Sequence, residues 1–176
     1  MKKRIEMVEL TETSIDTDAV LRRVIHPDCG AALLFVGTTR RWTNSLETIR
    51  LEYQAYREMA LTELHKLETE AKAKWPVKDV YIVHRLGEVA VGEASVAIAV
   101  SSPHRREAFE AGEWLIDELK RTVPIWKKEN WREQGPAWVH PETVNSDVQD
   151  SNPEINSNTT ASFATAHDRG SPHEPN

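Results

Sequence analysis

Cysteine is almost missing from this 176-residue chain: Cys29 stands alone, so neither an intramolecular disulfide nor a multi-cysteine metal site can form. An oxidising compartment is therefore not implied. Glycine is also sparse, at seven residues, and no glycine-rich nucleotide loop of either common type occurs. No apolar run approaches the roughly 20 residues that span a bilayer. The basic start Met1-Lys2-Lys3-Arg4 leads into Ile5 to Leu10, where Glu6 and Glu9 interrupt any signal-peptide core. These absences lead us to expect a cytoplasmic protein. No internal repeat is visible.

Strong charge of one sign is missing too. The net charge is -6, but residues 141–176 hold six acids (Glu142, Asp147, Asp150, Glu154, Asp168 and Glu174) against one base, Arg169. Residues 1–140 therefore carry 21 bases and 22 acids, a net of -1. Whole-chain charge thus says little about partners, and local clusters carry that argument.

What is present reads as one domain with a tail. Hydrophobic residues at 39% and charged residues at 28% suit a globular chain. From Thr143 onward the sequence is rich in Asn, Ser, Thr and Pro, with little apolar content to offset the entropy of ordering. We expect a folded domain over 1–142 and a disordered tail over 143–176.

The apolar pattern predicts an α+β fold. Ile5 to Leu10 reads as a strand, followed by a short helix after an Asp16 cap. Ala31 to Val36 is a continuous apolar run, expected as a strand buried on both faces. Leu46 to Tyr56 alternates, with Ile49, Leu51 and Tyr53 on one side. Leu61, Leu64, Leu67 and Ala71 then mark a helix that closes at Trp75-Pro76. Val80 to Val83 and Ser95 to Val100 predict two strands joined through the Gly87 to Gly92 turn region, paired as a hairpin. Ser102-Pro103 offers a capping hydroxyl and a first-turn proline for a helix from Pro103 to about Arg121. Pro124 ends that helix, and Ile125 to Glu129 and Ala137 to Val139 form late strands or loop edges. The six tryptophans read mostly as packing residues.

Three basic clusters sit at element ends. Thr38-Thr39-Arg40-Arg41 follows a strand, from which a guanidinium could grip phosphate with two parallel hydrogen bonds. Ser101-Ser102-Pro103-His104-Arg105-Arg106 lies at a helix start, where free amides and the helix dipole favour an anion. Lys120 and Lys127-Lys128-Glu129 flank Pro124. A lysine there could hold an anion or act as nucleophile or proton donor, and neighbouring cations would push it that way. Glu129 could hold Lys127 in place. Each cluster has a plain counterpart: a solvated loop arginine, a surface helix start, a lysine covering Trp126 or Leu119. His84 reads as a structural strand histidine, and Cys29 has no neighbouring base to activate it.

The ordered run Phe35-Val36-Gly37-Thr38-Thr39-Arg40, Leu51-Glu52-Tyr53, His84-Arg85-Leu86-Gly87, Val91-Gly92-Glu93, Ser101-Ser102-Pro103-His104-Arg105, Ala108-Phe109-Glu110-Ala111 and Leu119-Lys120 through Pro124-Ile125-Trp126-Lys127-Lys128-Glu129 resembles the molybdopterin synthase catalytic (large) subunit family over about residues 4–140. The resemblance implies an α/β hammerhead-type domain with additional antiparallel β structure. It also implies a homodimer at the centre of a heterotetramer, with a small ubiquitin-like sulfur-carrier subunit at each end. That partner's C-terminal Gly-Gly, as a thiocarboxylate, would thread into the large subunit. The implied activity is sulfur transfer to cyclic pyranopterin monophosphate, with no metal and no cofactor. By the same resemblance Lys120 and Lys127 match essential lysines, and Arg40, His104 and Arg105 match phosphate-binding residues. Thr38, Thr39, Lys128 and Glu129 match the remaining substrate contacts. Some family members carry lysine where this chain has Thr38.

If one helix runs from Pro103 to Lys120, the 16 residues between His104 and Lys120 separate them by roughly 24 Å. One small pterin cannot span that. We therefore expect a pocket shared across a dimer, with Arg40, Lys120 and Lys127 from one chain and His104 and Arg105 from its neighbour. The rival reading is a nonenzymatic module that binds a phosphorylated ligand or the ubiquitin-like partner, which has no need for both lysines. Nucleic-acid binding would want a basic face with interleaved aromatics. Trp126 to Arg132 offers only a local version of one.

Overall fold

The computed structural model describes residues 6–43, 45–133 and 135–139. The tail expected over 143–176, like Ile5 of the first expected strand, lies outside the described residues.

Strands of alternating phase build the centre. β1 (Val8–Thr11), β2 (Ala31–Thr38), β5 (Asp79–Arg85) and β7 (Ala94–Ser102) form one four-stranded sheet in the order β1-β5-β7-β2. β1 runs parallel to β5, while β5–β7 and β7–β2 are antiparallel. Successive side chains of a strand point to opposite faces. Accordingly Val80, Ile82, Val96, Ile98 and Val100 enter one core, and Tyr81, Val83, Ala97 and Ala99 enter a second. The first core is covered by α2 (Arg57–Lys74) and α3 (Arg105–Thr122), which contribute Ala60, Leu64, Leu67, Ala71, Ala111, Leu115, Ile116 and Leu119. The second is covered by α1 (Thr17–Arg22), through Val20 and, just beyond the helix, Val24. Helices on both faces explain why β5 and β7 read as continuous apolar runs rather than alternating ones. As expected, Asp16 caps α1, its carboxylate accepting from the Ala19 N–H at 2.9 Å.

A second, antiparallel sheet carries the later chemistry. β3 (Trp42–Thr43), β4 (Leu46–Ala55), β8 (Ile125–Trp131) and β9 (Gly135–Val139) run in that order, and β6 (Gly87–Ala90) also pairs with β4. The molecule is therefore α+β, with the additional antiparallel structure as this second sheet. Among the described residues, no helix is long and apolar enough to cross a membrane.

The structure corrects five expectations. β2 is only partly buried, because it is the edge strand of its sheet. β5 and β7 do pair antiparallel as expected, but the connection between them is no simple turn, since Gly87–Ala90 leaves to pair with β4. Ile49 points outward at 47% exposure and Thr48 inward, because a bulge between Thr48 and Arg50 shifts the alternation. Ser102 does not cap α3: its buried hydroxyl donates to the Pro76 carbonyl, and His104 is the N-cap. Trp42, Trp126 and Trp138 are exposed rather than packed.

α3 lies close on β2 at Gly112, where an added Cβ would run into the Leu33 side chain. A mid-helix glycine gives up roughly 1 kcal/mol of helix propensity relative to alanine, so close approach is what it provides here. We expect Gly112→Leu to lower stability by about 1–3 kcal/mol through overpacking, measured by urea unfolding. A variant as stable as the parent would show that α3 can lift away from β2.

Candidate functional site

Strand register decides which of the predicted residues come together. In the first sheet Gly37 pairs with Val96, and Val96 pairs with His84. The His84 ring meets Tyr53 edge-on, with centroids 5.0 Å apart. Tyr53 in turn lies directly across from Lys127 in the second sheet. One row thus runs from the end of β2, where Thr38 to Arg40 leave the sheet, to Lys127. Ser95 tightens it, its hydroxyl donating to the Gly37 carbonyl at 3.2 Å.

The loop after β2 is pinned by its backbone. The Thr39 N–H donates to the Glu93 carbonyl at 3.1 Å, and the Thr39 carbonyl accepts from the Gly92 N–H at 2.8 Å. Glu93 is itself fixed, its carboxylate accepting from the Ala90 N–H at 3.0 Å and from Arg85 at 3.0 Å. The Ala90 hydrogen bond and then the Arg85 charge hold that carboxyl below the usual carboxylate range, against some desolvation. Thr39 is buried, and its hydroxyl has no hydrogen-bond partner. Its backbone anchors the loop, while Thr38 and Arg40 face outward.

β8 sorts the second cluster by its period of two. Lys127, Glu129 and Trp131 share the inner face, and Trp126 and Lys128 take the other. Lys127 Nζ lies 2.7 Å from Glu129 Oε1, and Glu129 is only 2% exposed. The indole N–H of Trp131 donates to the other oxygen, Oε2, at 3.1 Å. Tyr53 stands beside this pair. Burial pushes its phenol pKa up, a hydrogen bond with Ser95 opposes that, and the negative charge of Glu129 adds to it. On the opposite face, Lys128 reaches Glu52 at 3.4 Å and lies over the Trp138 ring at 5.8 Å. Hydrogen bonds from Gln54 and Lys128 hold the Glu52 carboxyl below its usual range. Lys128 is therefore not brought together with Lys127 and Glu129, although it adjoins both in sequence.

The two ends of α3 carry the remaining residues. Lys120 is exposed in its last turn, and only Val123-Pro124 separates that helix from β8. Gly30 meets Pro103 and Leu33 meets Gly112, so α3 runs along β2 in the same sense, toward its Thr38 end. Eight residues advance Lys120 about 12 Å, and five residues advance Thr38 about 16 Å. At the other end His104 and Arg105 are exposed around the helix N-terminus. There Gly30, Pro103, His104, Arg105, Arg106 and Glu107 line an open depression of about 400 Å³. Gly30 permits this closure, since a Cβ would sit 2.9 Å from the Pro103 carbonyl oxygen. Of the cations that line the depression, Arg106 is paired with Glu110 at 2.7 Å.

Within one protomer the predicted residues therefore form two groups. Lys127 and Glu129 are paired on β8, Lys120 lies at the C-terminal end of α3 just before that strand, and Thr38 and Arg40 leave the end of β2, whereas His104 and Arg105 lie at the N-terminal end of α3. The 15 residues from Arg105 to Lys120 follow one unbroken helix, a rise of roughly 22 Å. Tyr53, Ser95, Glu93 and Trp131 were not among the site residues expected from the sequence. The alternate spacing of Lys127, Glu129 and Trp131 was a visible signal for the last. No sequence signal joined Ser95 and Glu93 to the loop they hold.

Comparison with known proteins adds the chemistry. The family model described as MoaE protein matches residues 10–122. A molybdopterin synthase catalytic subunit of Bacillus subtilis is 46% identical over 135 residues, covering 77% of this chain and 85% of the relative. The protein of that name from Homo sapiens is 47% identical over 137 residues, covering 78% and 72%. The crystal structure of molybdopterin synthase from Staphylococcus aureus superposes with a TM-score of 0.73 at 40% identity, covering 77% of this chain and 98% of that one.

Proposed function

The chain belongs to the MoaE protein family, and from that premise we propose how its side chains carry out the reaction. It is a molybdopterin synthase catalytic subunit, an enzyme of molybdenum cofactor biosynthesis. We take the substrate to be cyclic pyranopterin monophosphate. The sulfur comes from the C-terminal Gly-Gly thiocarboxylate of a small ubiquitin-like subunit. In each transfer a carbon–oxygen bond of the substrate breaks as the thiocarboxylate sulfur bonds to that carbon. Water then cleaves the partner's acyl–sulfur bond, leaving the sulfur on the substrate and the partner's terminus as a carboxylate, so oxidation states do not change. Two transfers give the dithiolene.

The observation that carries this reading is the Lys127 ammonium, held at 2.7 Å by the buried Glu129 at the end of the sheet where the Arg40 loop departs. A fixed cation in a partly desolvated site stabilises anions far better than one in water, because neither solvent nor side chain must reorganise. The thiocarboxylate, the phosphate and the oxygen released as the cyclic phosphate opens are all anionic. Lys127 serves covalent or proton-transfer help, Lys120 stabilises anionic charge, and Arg40, His104 and Arg105 hold the phosphate. Thr38 and the pinned backbone of Thr39 complete the wall near Arg40, and Lys128 supports β8 from its far face through Glu52.

The separation along α3 favours a pocket shared between two copies within a heterotetramer, with His104 and Arg105 supplied by the neighbour. A two-fold interface creates two such pockets. Mixing Lys127→Ala chains with Arg105→Ala chains should restore up to about a quarter of wild-type activity, because half the mixed pairs' pockets are intact when chains pair at random. The measurement is dithiolene formation from thiocarboxylated partner and cyclic precursor. Mixed pairs no more active than either parent would sink the shared pocket.

A further inference from the structure

The inner face of β8 holds a relay that the two lysines do not account for. Glu129 is 2% exposed, and its cross-strand neighbours are apolar: Leu51 on β4, itself 7% exposed, and Ala137 on β9. A carboxylate in such surroundings must be hydrogen-bonded on both oxygens to be tolerated, and it takes whatever orientation its donors impose. Its hydrogen-bond and ion-pair partners among the described residues are Lys127 at 2.7 Å on Oε1 and the Trp131 indole N–H at 3.1 Å on Oε2. Lysine is a compact charge on a flexible four-carbon stem and cannot orient a carboxylate by itself. The indole is a rigid donor with two side-chain torsions, two residues further along the same strand face.

We infer that Trp131 is a positioning residue for the sulfur-transfer reaction: it fixes the Glu129 carboxylate, and through it the place of the Lys127 ammonium. The inference rests on the role given to Lys127 under the proposed function. Trp131 itself touches no reacting atom in this scheme. Without the indole N–H, Oε2 of Glu129 loses its neutral donor, the carboxylate turns, and the ammonium follows it away from the anions it serves. Displacement of a reacting group by about 1 Å can cost up to a hundredfold in rate, so the effect is large for a residue outside the reaction centre.

The test uses the complete synthase with thiocarboxylated partner and cyclic precursor, comparing Trp131→Phe, Glu129→Gln and the double variant. Phenylalanine keeps an aromatic ring on the strand and deletes the donor along with one ring of the indole. Trp131→Phe should lower kcat about tenfold to a hundredfold, with the precursor's KM within about twofold. The double variant should fall no further than Glu129→Gln alone, because residues acting through one another are not additive. Thr48→Val serves as the matched control. It deletes the buried, unpartnered hydroxyl across from Trp131 and should keep wild-type kcat.

A readout independent of turnover is the indole N–H spectrum of the chain's six tryptophans. The resonance that vanishes in Trp131→Phe should shift in Glu129→Gln. A Trp131→Phe kcat within twofold of wild type, a fully additive double variant, or an unmoved resonance would each overturn the inference. If the wild-type complex made no dithiolene, the proposed function would fall, while the resonance would still report whether Trp131 holds Glu129.

Discussion

Lys127→Ala should reduce dithiolene formation by at least about a hundredfold, the loss expected when a preorganised cation or proton-transfer group is removed from a reaction centre. The folded state should survive with a modest loss of stability. Lys127 leaves behind a buried carboxylate, but its own side chain is 23% exposed, so water can reach part of the gap. Adding Glu129→Gln to Lys127→Ala removes the unpaired charge and should recover most of that stability without recovering activity. Lys127→Arg then separates the chemical roles. Arginine keeps the charge but stays protonated and presents a planar fork, so it can stabilise an anion yet cannot attack or give up a proton. If Lys127 does covalent or proton-transfer work, the arginine variant stays near the alanine level, whereas Lys120→Arg keeps a substantial fraction of wild-type kcat. An alanine variant at position 127 that turned over within about threefold of wild type would remove this lysine from the reaction.

Acid should unfold this protein earlier than its surface carboxylates require, and His84 is the reason. The side chain is buried in the row that joins the two sheets, edge-on to Tyr53, with Nδ1 2.9 Å from the Arg85 carbonyl. A carbonyl only accepts, so Nδ1 carries the proton of the neutral ring. Burial disfavours the imidazolium and lowers the His84 pKa from 6.5 to about 4, with the Arg85 hydrogen bond opposing only part of that. The sign follows. Between those two values the unfolded chain binds a proton that the folded chain refuses, so this contribution is fully present above pH 6.5 and is lost as pH falls toward 4. At roughly 1.4 kcal/mol per pH unit the loss approaches about 3 kcal/mol, a large part of the stability of a small domain. Urea unfolding at pH 7 and pH 4.5 should show most of this difference in the parent and little of it in His84→Phe. Equal pH slopes in the two proteins would clear His84. Glu52, Glu93 and Glu110, whose carboxyls are all held below their usual range, lose their contributions only at more acid pH.

The shared row also explains why the site's parts were legible as motifs but not as a site. Lys127 and Glu129 were visible in the sequence as a lysine and a carboxylate that could hold it, and the structure sets both on one strand 2.7 Å apart. Lys128 was read with them because it lies between them, yet the pleat turns it to Glu52 and Trp138. Adjacency along a strand is the opposite of adjacency in space, and that rule was available from the sequence. The Thr38 to Arg40 segment was legible as a loop leaving a strand. Its anchors were not, because Glu93 and Gly92 are more than fifty residues away and act through their backbones.

Local signals settled a great deal here. The Asp16 cap, the helix from Arg57 to Lys74, the β5 and β7 runs and the end of α3 before Pro124 all follow from spacing, capping chemistry and proline's missing N–H. These depend on residues within a few positions of one another. Only the tertiary structure decided that Gly87–Ala90 crosses to the second sheet, that a bulge turns Ile49 outward, and that Tyr53 and His84 weld the two sheets beside Lys127. It also set His104 and Arg105 a helix length away from Lys120. Those outcomes depend on which strands pair and in what register, and that choice is made by the burial of whole faces, a quantity no local stretch of sequence contains.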